Sequence, residues 1–323
     1  MEYTLIGKSD LKVSRLGFGC WQLGGHGWQD IDQKEIEKAI HSALDMGINF
    51  FDTADIYGLG ESEKNLARTL AKHPLGKNAI VASKFAVRQK NDGSTYYDNS
   101  KEWMFEAVEG SLKRLERETI DLYQLHWHDG KRPLDDIFTD LEILREQGKI
   151  RWYGISNISP LDIDSVDIDS DNTPEGLVSF TMKYSLAGRE NEQEIKKATE
   201  EKNLGFISWG SLAQGLLSGK YNRNSVFSES DVRSRESSLF SQDNWDYFEK
   251  LLDKLQKIAT DNNKNMAQTA LRFVLDNIPK SIVLTGIKNN RQLTDNAGCL
   301  NWKLGNESLR ELKDISAMEN TDR

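Results

Sequence analysis

The sequence predicts an α/β protein with a closed (β/α)8 TIM barrel, preceded by a β-hairpin and followed by an extra C-terminal helix. Short apolar runs alternate with longer amphipathic stretches, and parallel strands need crossover helices between them. Eight such runs fit within 323 residues, an ordinary length for one barrel. A doubly wound sheet would normally carry a glycine-rich phosphate loop after its first strand, but no third glycine follows Gly17 and Gly19 to open a helix.

The predicted strands are short apolar runs bounded by polar or turn-forming residues. They cover residues 15–19, 48–52, 79–84, 121–126, 151–155, 177–181, 205–209 and 281–285. Before the first of them, residues 3–7 and 11–14 flank the turn residues Lys8, Ser9 and Asp10. We expect these two segments to form a hairpin that closes the bottom of the barrel.

Longer stretches with apolar residues at helical spacing separate these strands. The predicted helices cover residues 33–46, 61–70, 101–115, 134–147, 192–202 and 245–258, with the extra helix over 306–317. One connection breaks the regular spacing, because residues 210–242 are long, polar and rich in serine. Loops of that length are usually functional or mobile.

Composition limits the classes of partner and the compartment. The formal net charge of −9 argues against nucleic acid or an anionic membrane surface as a partner. No apolar run reaches the roughly 18 residues that a membrane span needs. Cys20 and Cys299 are too few for a disulfide framework and show no metal-ligand spacing, so we expect no metal. These features favour a single domain over residues 1–323 in the cytoplasm, and they leave the oligomeric state open.

Three consecutive strands end in ionisable residues, namely Asp52, Lys84 and His126. Adjacent strands lie roughly 4.8 Å apart, so we expect Asp52 and Lys84 within pairing distance and His126 one strand further along. Tyr57 follows Asp52 on the loop beyond the strand and can fold back over Lys84. A carboxylate, an ammonium, a phenol and an imidazole at one mouth indicate a proton-transfer site. The plainer alternative is a structural ion pair between Asp52 and Lys84.

At the segment Asp-Thr-Ala-Asp-Ile-Tyr-Gly the chain resembles the aldo-keto reductase family, and the resemblance covers almost its whole length. The matching segments are residues 52–58, 82–85, 125–127, 153–157, 212–220 and 285–288, followed by Gln292, Leu293 and Asn296. The resemblance implies reduction of an aldehyde or ketone by hydride from NADP(H), with NAD(H) as the less favoured cofactor. It also explains the missing glycine-rich loop, because this family uses a barrel instead.

The chemistry expected at the four residues follows from the needs of carbonyl reduction. Tyr57 would donate the proton, and the Lys84 ammonium would lower the pKa of that phenol from its ordinary value near 10 toward the working range. Asp52 would keep Lys84 charged and, by the resemblance, contact the cofactor. His126 would donate a hydrogen bond to the substrate oxygen.

The resemblance also implies a cofactor-binding set along the mouth of the barrel. That set is Gly19, Cys20, Trp21, Asp52, Ser156, Asn157, Thr181, Trp209, Gly210, Leu212, Gly215, Lys220, Gly286, Ile287, Lys288, Gln292 and Asn296. Ser156 and Asn157 would bind the nicotinamide carboxamide, although a Ser-Asn pair can equally cap a helix. Lys288 would contact the 2'-phosphate, which favours NADP over NAD.

Two positions depart from the family pattern. Thr181 stands where the sixth strand usually ends in a glutamine that binds the carboxamide, so that contact is weaker or passes through water. Trp209 stands where a tyrosine usually stacks on the nicotinamide ring, and a flat aromatic ring preserves stacking. These departures bear on cofactor affinity more than on the reaction type.

The expected substrate is a small-molecule carbonyl, and a sugar or sugar derivative fits the residues best. The predicted substrate-binding set is Trp21, Trp28, Tyr57, His126 and Trp127. Aromatic rings stack on the C–H face of a sugar, while neighbouring polar loops satisfy its hydroxyl groups. The same tryptophans could also accept aromatic aldehydes or serve as ordinary packing.

Two alternative functions remain open at the level of sequence. Lys84 or Lys183, each at a strand end, could form a Schiff base as in a class I aldolase. The family also includes potassium-channel beta subunits, so a regulatory subunit that holds cofactor and turns over slowly is the second alternative.

Overall fold

The computed structural model describes residues 1–25, 31–158, 174–229, 231–235 and 237–317. The strands in these ranges are β1 Tyr3–Leu5, β2 Lys12–Ser14, β3 Leu16–Gly19, β4 Phe50–Asp52, β5 Ile80–Phe85, β6 Val87–Gln89, β7 Thr95–Tyr97, β8 Ile120–Leu125, β9 Ile150–Ser156, β10 Leu177–Lys183, β11 Gly205–Trp209 and β12 Ile282–Gly286. Eight of them close a barrel in the order β10–β11–β12–β3–β4–β5–β8–β9. Every neighbouring pair in that barrel is parallel. The predicted (β/α)8 barrel is therefore confirmed.

Helices pack around this barrel as the alternating pattern predicts. Those described are Gln33–Asp45, Glu61–Ala71, Lys101–Leu115, Leu134–Glu146, Glu192–Glu201, Val232–Arg235, Gln242–Asp261, Met266–Asn277, Asn290–Ala297 and Asn306–Ala317. The four-residue helix Val232–Arg235 lies in the connection that the sequence analysis treated as a long polar loop. The sequence prediction also omitted Met266–Asn277 and Asn290–Ala297. Both begin at an asparagine whose side chain accepts a backbone N–H of the first turn, Asn265 in one case and Asn289 in the other.

The alternation of side chains along β4 decides which of them face the barrel interior. Phe50 packs inside with Leu122 and Ile207, whereas Phe51 belongs to the layer between the barrel and the helices. Successive side chains of a strand point to opposite faces, so Asp52 returns to the interior. The strand thus places a carboxylate inside the barrel at its C-terminal end.

The N-terminal hairpin closes the other end of the barrel, as the sequence predicts. β1 and β2 pair antiparallel, and Ile6, Leu11 and Val13 pack with the interior residues of the strands. The chain also packs tightly at Gly7, which has φ +52°, and a Cβ atom there would lie 2.3 Å from the Val178 carbonyl oxygen. Only glycine fits that turn without strain.

A second hairpin, which the sequence analysis did not predict, lies beyond the C-terminal end of β5. β6 and β7 pair antiparallel with Arg88 opposite Tyr96. Tyr97 stacks on Trp127 with ring centroids 5.6 Å apart and planes 8° from parallel. This hairpin therefore contributes to the same mouth at which β4, β5 and β8 end. Among the described helices, none is long and apolar enough to cross a membrane.

Candidate active site

An ion pair between Lys84 and Asp52 lies at the C-terminal end of the barrel interior. Lys84 Nζ is 2.5 Å from Asp52 Oδ1 and donates a second hydrogen bond of 2.8 Å to the Thr53 carbonyl oxygen. Both charged side chains are almost fully buried. Burial lowers the pKa of Lys84, but the nearby Asp52 carboxylate outweighs it, and the net shift is upward. Lys84 is therefore an ammonium ion at neutral pH.

Tyr57 lies beside this pair, so the structure brings together the four residues predicted at the mouth. The Lys84 ammonium is 5.4 Å from the centre of the Tyr57 ring. The same ring meets His126 edge-on at 5.8 Å and stacks on Trp21 at 5.8 Å. Trp21 and His126 thus hold the phenol from two sides, which limits the orientations of its hydroxyl group.

The predicted direction of the pKa shift at Tyr57 is wrong. Burial is the largest effect and raises the pKa of the phenol. The charge of Lys84 and its hydrogen bond to the phenol lower it, while the Asp52 carboxylate raises it again. The sequence analysis considered the effect of the Lys84 ammonium on this pKa and left out the effect of burial. Tyr57 therefore carries its proton throughout the neutral range.

His126 is held as a neutral imidazole. Burial and the neighbouring Lys84 charge lower its pKa well below the ordinary value. Its backbone N–H donates to the Phe85 carbonyl oxygen at 3.0 Å, which fixes the end of β8 against β5. Nδ1 is buried and has no hydrogen-bond partner among the described residues. One ring nitrogen of a neutral imidazole carries a hydrogen and can donate it.

Gln124 extends the buried polar network across the interior, and the sequence analysis missed it. Its Nε2 lies 3.2 Å from Asp52 Oδ2, and its Oε1 accepts a 2.6 Å hydrogen bond from the Thr181 hydroxyl. Gln124 stands two residues before His126, so the two-residue alternation of a strand places both on one face. The available signal was a polar residue two positions before a predicted site residue in the same strand.

Asn157 makes three side-chain hydrogen bonds at the mouth, while the segment whose helix a Ser-Asn pair could cap lies outside the described residues. Its amide nitrogen donates to the His126 carbonyl oxygen at 3.1 Å and to Ser156 Oγ at 3.0 Å. Its amide oxygen accepts from Trp209 Nε1 at 2.9 Å. Asn157 thus joins the ends of β8, β9 and β11, and it holds the Trp209 ring at the mouth with Lys183 Nζ 5.8 Å from its centre.

The loop after β11 has an unusual backbone. Gly210, Ala213, Gln214 and Gly215 all have positive φ, between 47° and 98°. Left-handed conformations cost energy at non-glycine residues and are common where a backbone approaches a ligand. Leu212 packs against the core, and Lys220 lies exposed with its ammonium 5.4 Å from the Tyr221 ring.

The loop after β12 could receive a nucleotide. Gly286 is exposed, and a Cβ atom there would lie 2.0 Å from Gln22 Nε2. Gln22 Oε1 and Thr285 Oγ1 are buried without a hydrogen-bond partner among the described residues. Gln22 fills the place of a side chain at Gly286, and the two unsatisfied buried polar atoms beside it fit a polar ligand such as a dinucleotide. Gln22 is a second residue that the sequence analysis missed.

The other predicted cofactor residues around this loop differ in burial and in the contacts they make. Gln292 Oε1 accepts the Lys288 backbone N–H at 2.9 Å and so fixes the start of helix Asn290–Ala297. Asn296 is buried on that helix. The side chains of Ile287 and Cys20 are fully buried or nearly so, and burial raises the pKa of the Cys20 thiol well above its ordinary value. Gly19 pairs with Gly286 across β3 and β12.

The predicted substrate residues are only partly brought together. Trp21 and Trp127 both lie at the mouth, next to Tyr57 and Tyr97 respectively. Trp28 lies outside the described residues. His128, next to Trp127 in the mouth loop, contacts the Arg132 carbonyl oxygen through Nε2 at 2.7 Å. Within the ranges the structure covers, no group of His, Cys, Asp and Glu is arranged to hold a metal ion.

Comparison with known proteins identifies relatives over the full length of the chain. The model of the Aldo/keto reductase family matches residues 15–317. The aldo-keto reductase YhdN of Bacillus subtilis is 32% identical over 322 residues, which cover 99% of this chain and 95% of that protein. The aldo-keto reductase yakc [NADP(+)] of Schizosaccharomyces pombe is 29% identical over 305 residues, which cover 94% of this chain and 88% of that protein.

Among solved structures, the chain is similar to a glycerol dehydrogenase of Gluconobacter oxydans. The two share 33% of their residues and superimpose with a TM-score of 0.88. The alignment covers 99% of this chain and 97% of that one. The likeness therefore includes both ends of the barrel and the C-terminal helix.

Proposed function

The chain belongs to the aldo/keto reductase family of oxidoreductases, and from this premise we propose that it reduces a polar aldehyde or ketone with NADP(H), using Tyr57 as the proton donor. The observation that carries the proposal is the assembly of Tyr57, Lys84 and His126 around the buried Asp52 carboxylate. A structural ion pair alone would not require a phenol and a neutral imidazole in contact at the same mouth.

The mechanism assigns each side chain a task. A nicotinamide cofactor, when bound, supplies hydride to the carbonyl carbon. The protein side chains act on the carbonyl oxygen. The N–H of neutral His126 donates to that oxygen, which stabilises the charge that develops there. The Tyr57 O–H bond breaks as its proton passes to the oxygen, leaving a phenolate. Lys84, kept cationic by Asp52, stabilises that phenolate. The proton lost by Tyr57 ends on the hydroxyl group of the product alcohol.

The raised pKa of Tyr57 suits donation rather than abstraction of a proton. A protonated phenol is the form needed for reduction, and burial maintains that form at neutral pH. A Schiff-base reaction at Lys84 would instead need a neutral amine, whereas Asp52 raises the pKa of Lys84. The ion pair therefore favours the reductase over the aldolase alternative.

The cofactor would be held by loops at the ends of β3, β9, β11 and β12. Asn157 and Trp209 would contact the nicotinamide end, and Gln22, Thr285 and the backbone at Gly286 the polar middle. Lys288, at the start of helix Asn290–Ala297, would pair with the 2'-phosphate. A relative whose name carries NADP(+) supports this preference.

A polar substrate is supported by the mouth and by one structural relative. Trp21, Trp127 and Tyr97 offer aromatic faces, and the polar groups of Tyr57 and His126 lie at the same mouth. The glycerol dehydrogenase of Gluconobacter oxydans is named for a polyol. Sugars and small hydroxy-carbonyls therefore head the expected substrates.

The decisive experiment follows NADPH oxidation across aldoses, keto-sugars, small hydroxy-aldehydes, steroids and aromatic aldehydes. We expect the highest kcat/KM on a hydroxylated carbonyl. Higher efficiency on an apolar ketone than on every polar substrate would reject the substrate class. Retained cofactor with negligible turnover on all of them would reject the reductase and favour the regulatory subunit.

A further inference from the structure

We propose that Gln124 and Thr181 are positioning residues for Asp52, with Thr181 acting through Gln124 rather than on the cofactor. The proposal deepens the proposed function and rests on it, because Asp52 matters there as the partner of Lys84. Gln124 is fully buried, and Thr181 is 1% exposed. Their hydrogen bonds join the catalytic ion pair to β10, on the far side of β8 and β9.

The chemistry of the groups fixes the direction of every hydrogen bond in this network. Asp52 is paired with an ammonium ion, so it is a carboxylate and only accepts hydrogen bonds. Gln124 must therefore turn its NH2 group toward Asp52 Oδ2, which leaves its carbonyl oxygen facing Thr181. Thr181 has to donate its hydroxyl hydrogen to that oxygen, at 2.6 Å.

Thr181 has no second hydrogen with which to bind the cofactor. A hydroxyl group has one hydrogen to donate, and here Gln124 takes it. Thr181 is consequently left without a donor for the nicotinamide carboxamide oxygen, the contact expected of the residue at this position. The structure assigns it a different task, which is to prevent the Gln124 amide from turning its oxygen toward the Asp52 carboxylate.

The network also explains how the carboxylate keeps its orientation. Asp52 Oδ1 accepts from Lys84, and Oδ2 accepts from Gln124. Two donors on two oxygens fix the plane of the carboxylate, whereas the flexible lysine alone would leave it free to rotate. Lys84 of β5 and Gln124 of β8 are opposite each other in the register of these parallel strands. The two donors therefore approach Asp52 from neighbouring strands.

A double-mutant cycle tests the proposal. Thr181→Val removes the hydroxyl with little change in shape, and Gln124→Met removes the donor to Asp52. We expect each to lower kcat by about tenfold, and the double variant to be no slower than Gln124→Met alone, because Thr181 acts through Gln124. The NADPH Kd should stay within about twofold of wild type in all three. Multiplied losses in the double variant, or a Kd raised by Thr181→Val alone, would overturn the proposal.

Thr181→Ser is the matched control, since it keeps the donor and loses only a methyl group. Its kcat should stay close to the wild-type value. Equal losses in the serine and valine variants would show that packing, and not the hydrogen bond, is responsible, which also overturns the proposal.

Gln124→Glu provides a readout that does not need Thr181→Val to fold. A protonated glutamic acid can donate to Asp52 Oδ2 as the amide does, whereas an ionised one repels it; the charged groups it faces are Asp52 and Lys84. We therefore expect a new ionisation in the pH profile of kcat, with activity lost as the pH rises through the pKa of the introduced acid. A profile identical to that of wild type would contradict the proposal.

A crystal structure of Thr181→Val separates this proposal from the proposed function. We expect the Gln124–Asp52 contact to be broken or the amide to be turned. An intact contact would overturn the positioning role whatever the activity. Absence of carbonyl reduction by the wild-type protein would instead overturn the proposed function and leave the network to be judged by that structure.

Discussion

The Tyr57 hydroxyl is the proton donor of the proposed reaction, so its removal tests that step directly. In Tyr57→Phe the ring keeps its contacts with Trp21 and His126, so the mouth should keep its shape. Loss of a general acid typically costs on the order of 10²–10⁴-fold in rate, and we expect a fall in kcat of that size. NADPH binding, followed by fluorescence, should be nearly unchanged. Wild-type turnover in this variant would mean that another group is the acid.

Asp55 is a buried carboxyl whose ionisation is expected to limit stability. Burial, with a contribution from Glu63, raises its pKa to about 8, while Arg114 lowers it. Its Oδ1 has no hydrogen-bond partner among the described residues. The pKa of an unfolded aspartate is about 3.9, so between that value and about pH 8 the folded state binds more protons. The free energy of unfolding should therefore fall as the pH rises through this window.

Asp55→Asn should remove that dependence on pH. We expect its melting temperature to exceed that of wild type at pH 9 by a few degrees and the difference to shrink toward pH 5, because wild-type Asp55 is then largely protonated. Asp253→Asn, at an exposed helical position, serves as the control and should follow wild type at every pH. A constant difference between Asp55→Asn and wild type across pH would show that the carboxyl does not titrate in this range.

The proposed preference for NADP(H) depends on Lys288. Its ammonium would form a charge-assisted contact with the 2'-phosphate, which NAD lacks. Lys288→Ala should raise the Kd for NADPH by about tenfold or more and leave that for NADH within about twofold. The exposed Lys77, in the loop after helix Glu61–Ala71, offers a control substitution to alanine with no effect on either. Equal weakening of both cofactors, or a wild-type preference for NADH, would refute the assignment.

Individual site residues were predictable where one rule of strand geometry decided them. Asp52, Lys84 and His126 lie at or just beyond strand ends, and parallel strands bring such residues to one mouth. Gln124 and Thr181 lie within strands, and their pairing depends on a contact between β8 and β10 across the interior. That contact follows from barrel closure and shear, which no local pattern in the sequence specifies.

At the level of secondary structure, each barrel strand formed within two residues of its predicted bounds. The omitted helices show where the pattern was weaker. Met266–Asn277 is buried on most sides, so its sequence has no polar face that would mark an amphipathic helix. The capping box of Asn265 and Gln268 was nevertheless a sequence signal for its start. Asn290–Ala297 is short and largely polar, and its formation depends on packing against the helices beside it.

The β6–β7 hairpin should govern substrate affinity more than turnover. Tyr97 stacks on Trp127 and is 41% exposed, so its free surface can contact a substrate. Tyr97→Ala should raise KM for a polar carbonyl several-fold and leave kcat unchanged, because the hairpin lies outside the proton-transfer residues. Tyr96→Ala on the same strand is the control, since Tyr96 faces Arg88 and Lys90 instead. A lower kcat with unchanged KM in Tyr97→Ala would place the hairpin in the chemical step.

Along the barrel axis, the proposed active site and the network around the N-terminus lie at opposite ends. The C-terminal mouth collects the buried charges of the site, and the opposite end is closed by apolar hairpin residues and a network around Glu2. Barrels of this kind generally place catalysis at the C-terminal face and stability at the N-terminal one. Alternation of strands and helices predicted the barrel. The network at its base joins Glu2 to Arg272 and Asn301, which are far from it in sequence, and no periodic pattern indicates such contacts.

Glu2 is the centre of that network, and its removal tests the separation. Its carboxylate accepts from Arg272, which is 1% exposed, and from Arg15, and it also accepts the Asn301 backbone N–H. Breaking a buried charge pair from one side typically costs about 3–5 kcal/mol, because the remaining charge stays buried. Asp276 still faces Arg272, so the lower part of that range applies. Glu2→Ala should therefore lower the melting temperature by several degrees.

Glu2→Ala should nevertheless keep the wild-type kcat and KM at 25 °C, because its contacts lie at the opposite end of the barrel from Lys84 and Tyr57. Glu35→Ala gives the matched control, since it breaks an exposed pair with Lys38 and should change the melting temperature by little. A fall in kcat at temperatures where Glu2→Ala is fully folded would show that the base of the barrel transmits strain to the mouth. Unchanged stability would show instead that Asp276 alone satisfies the buried guanidinium.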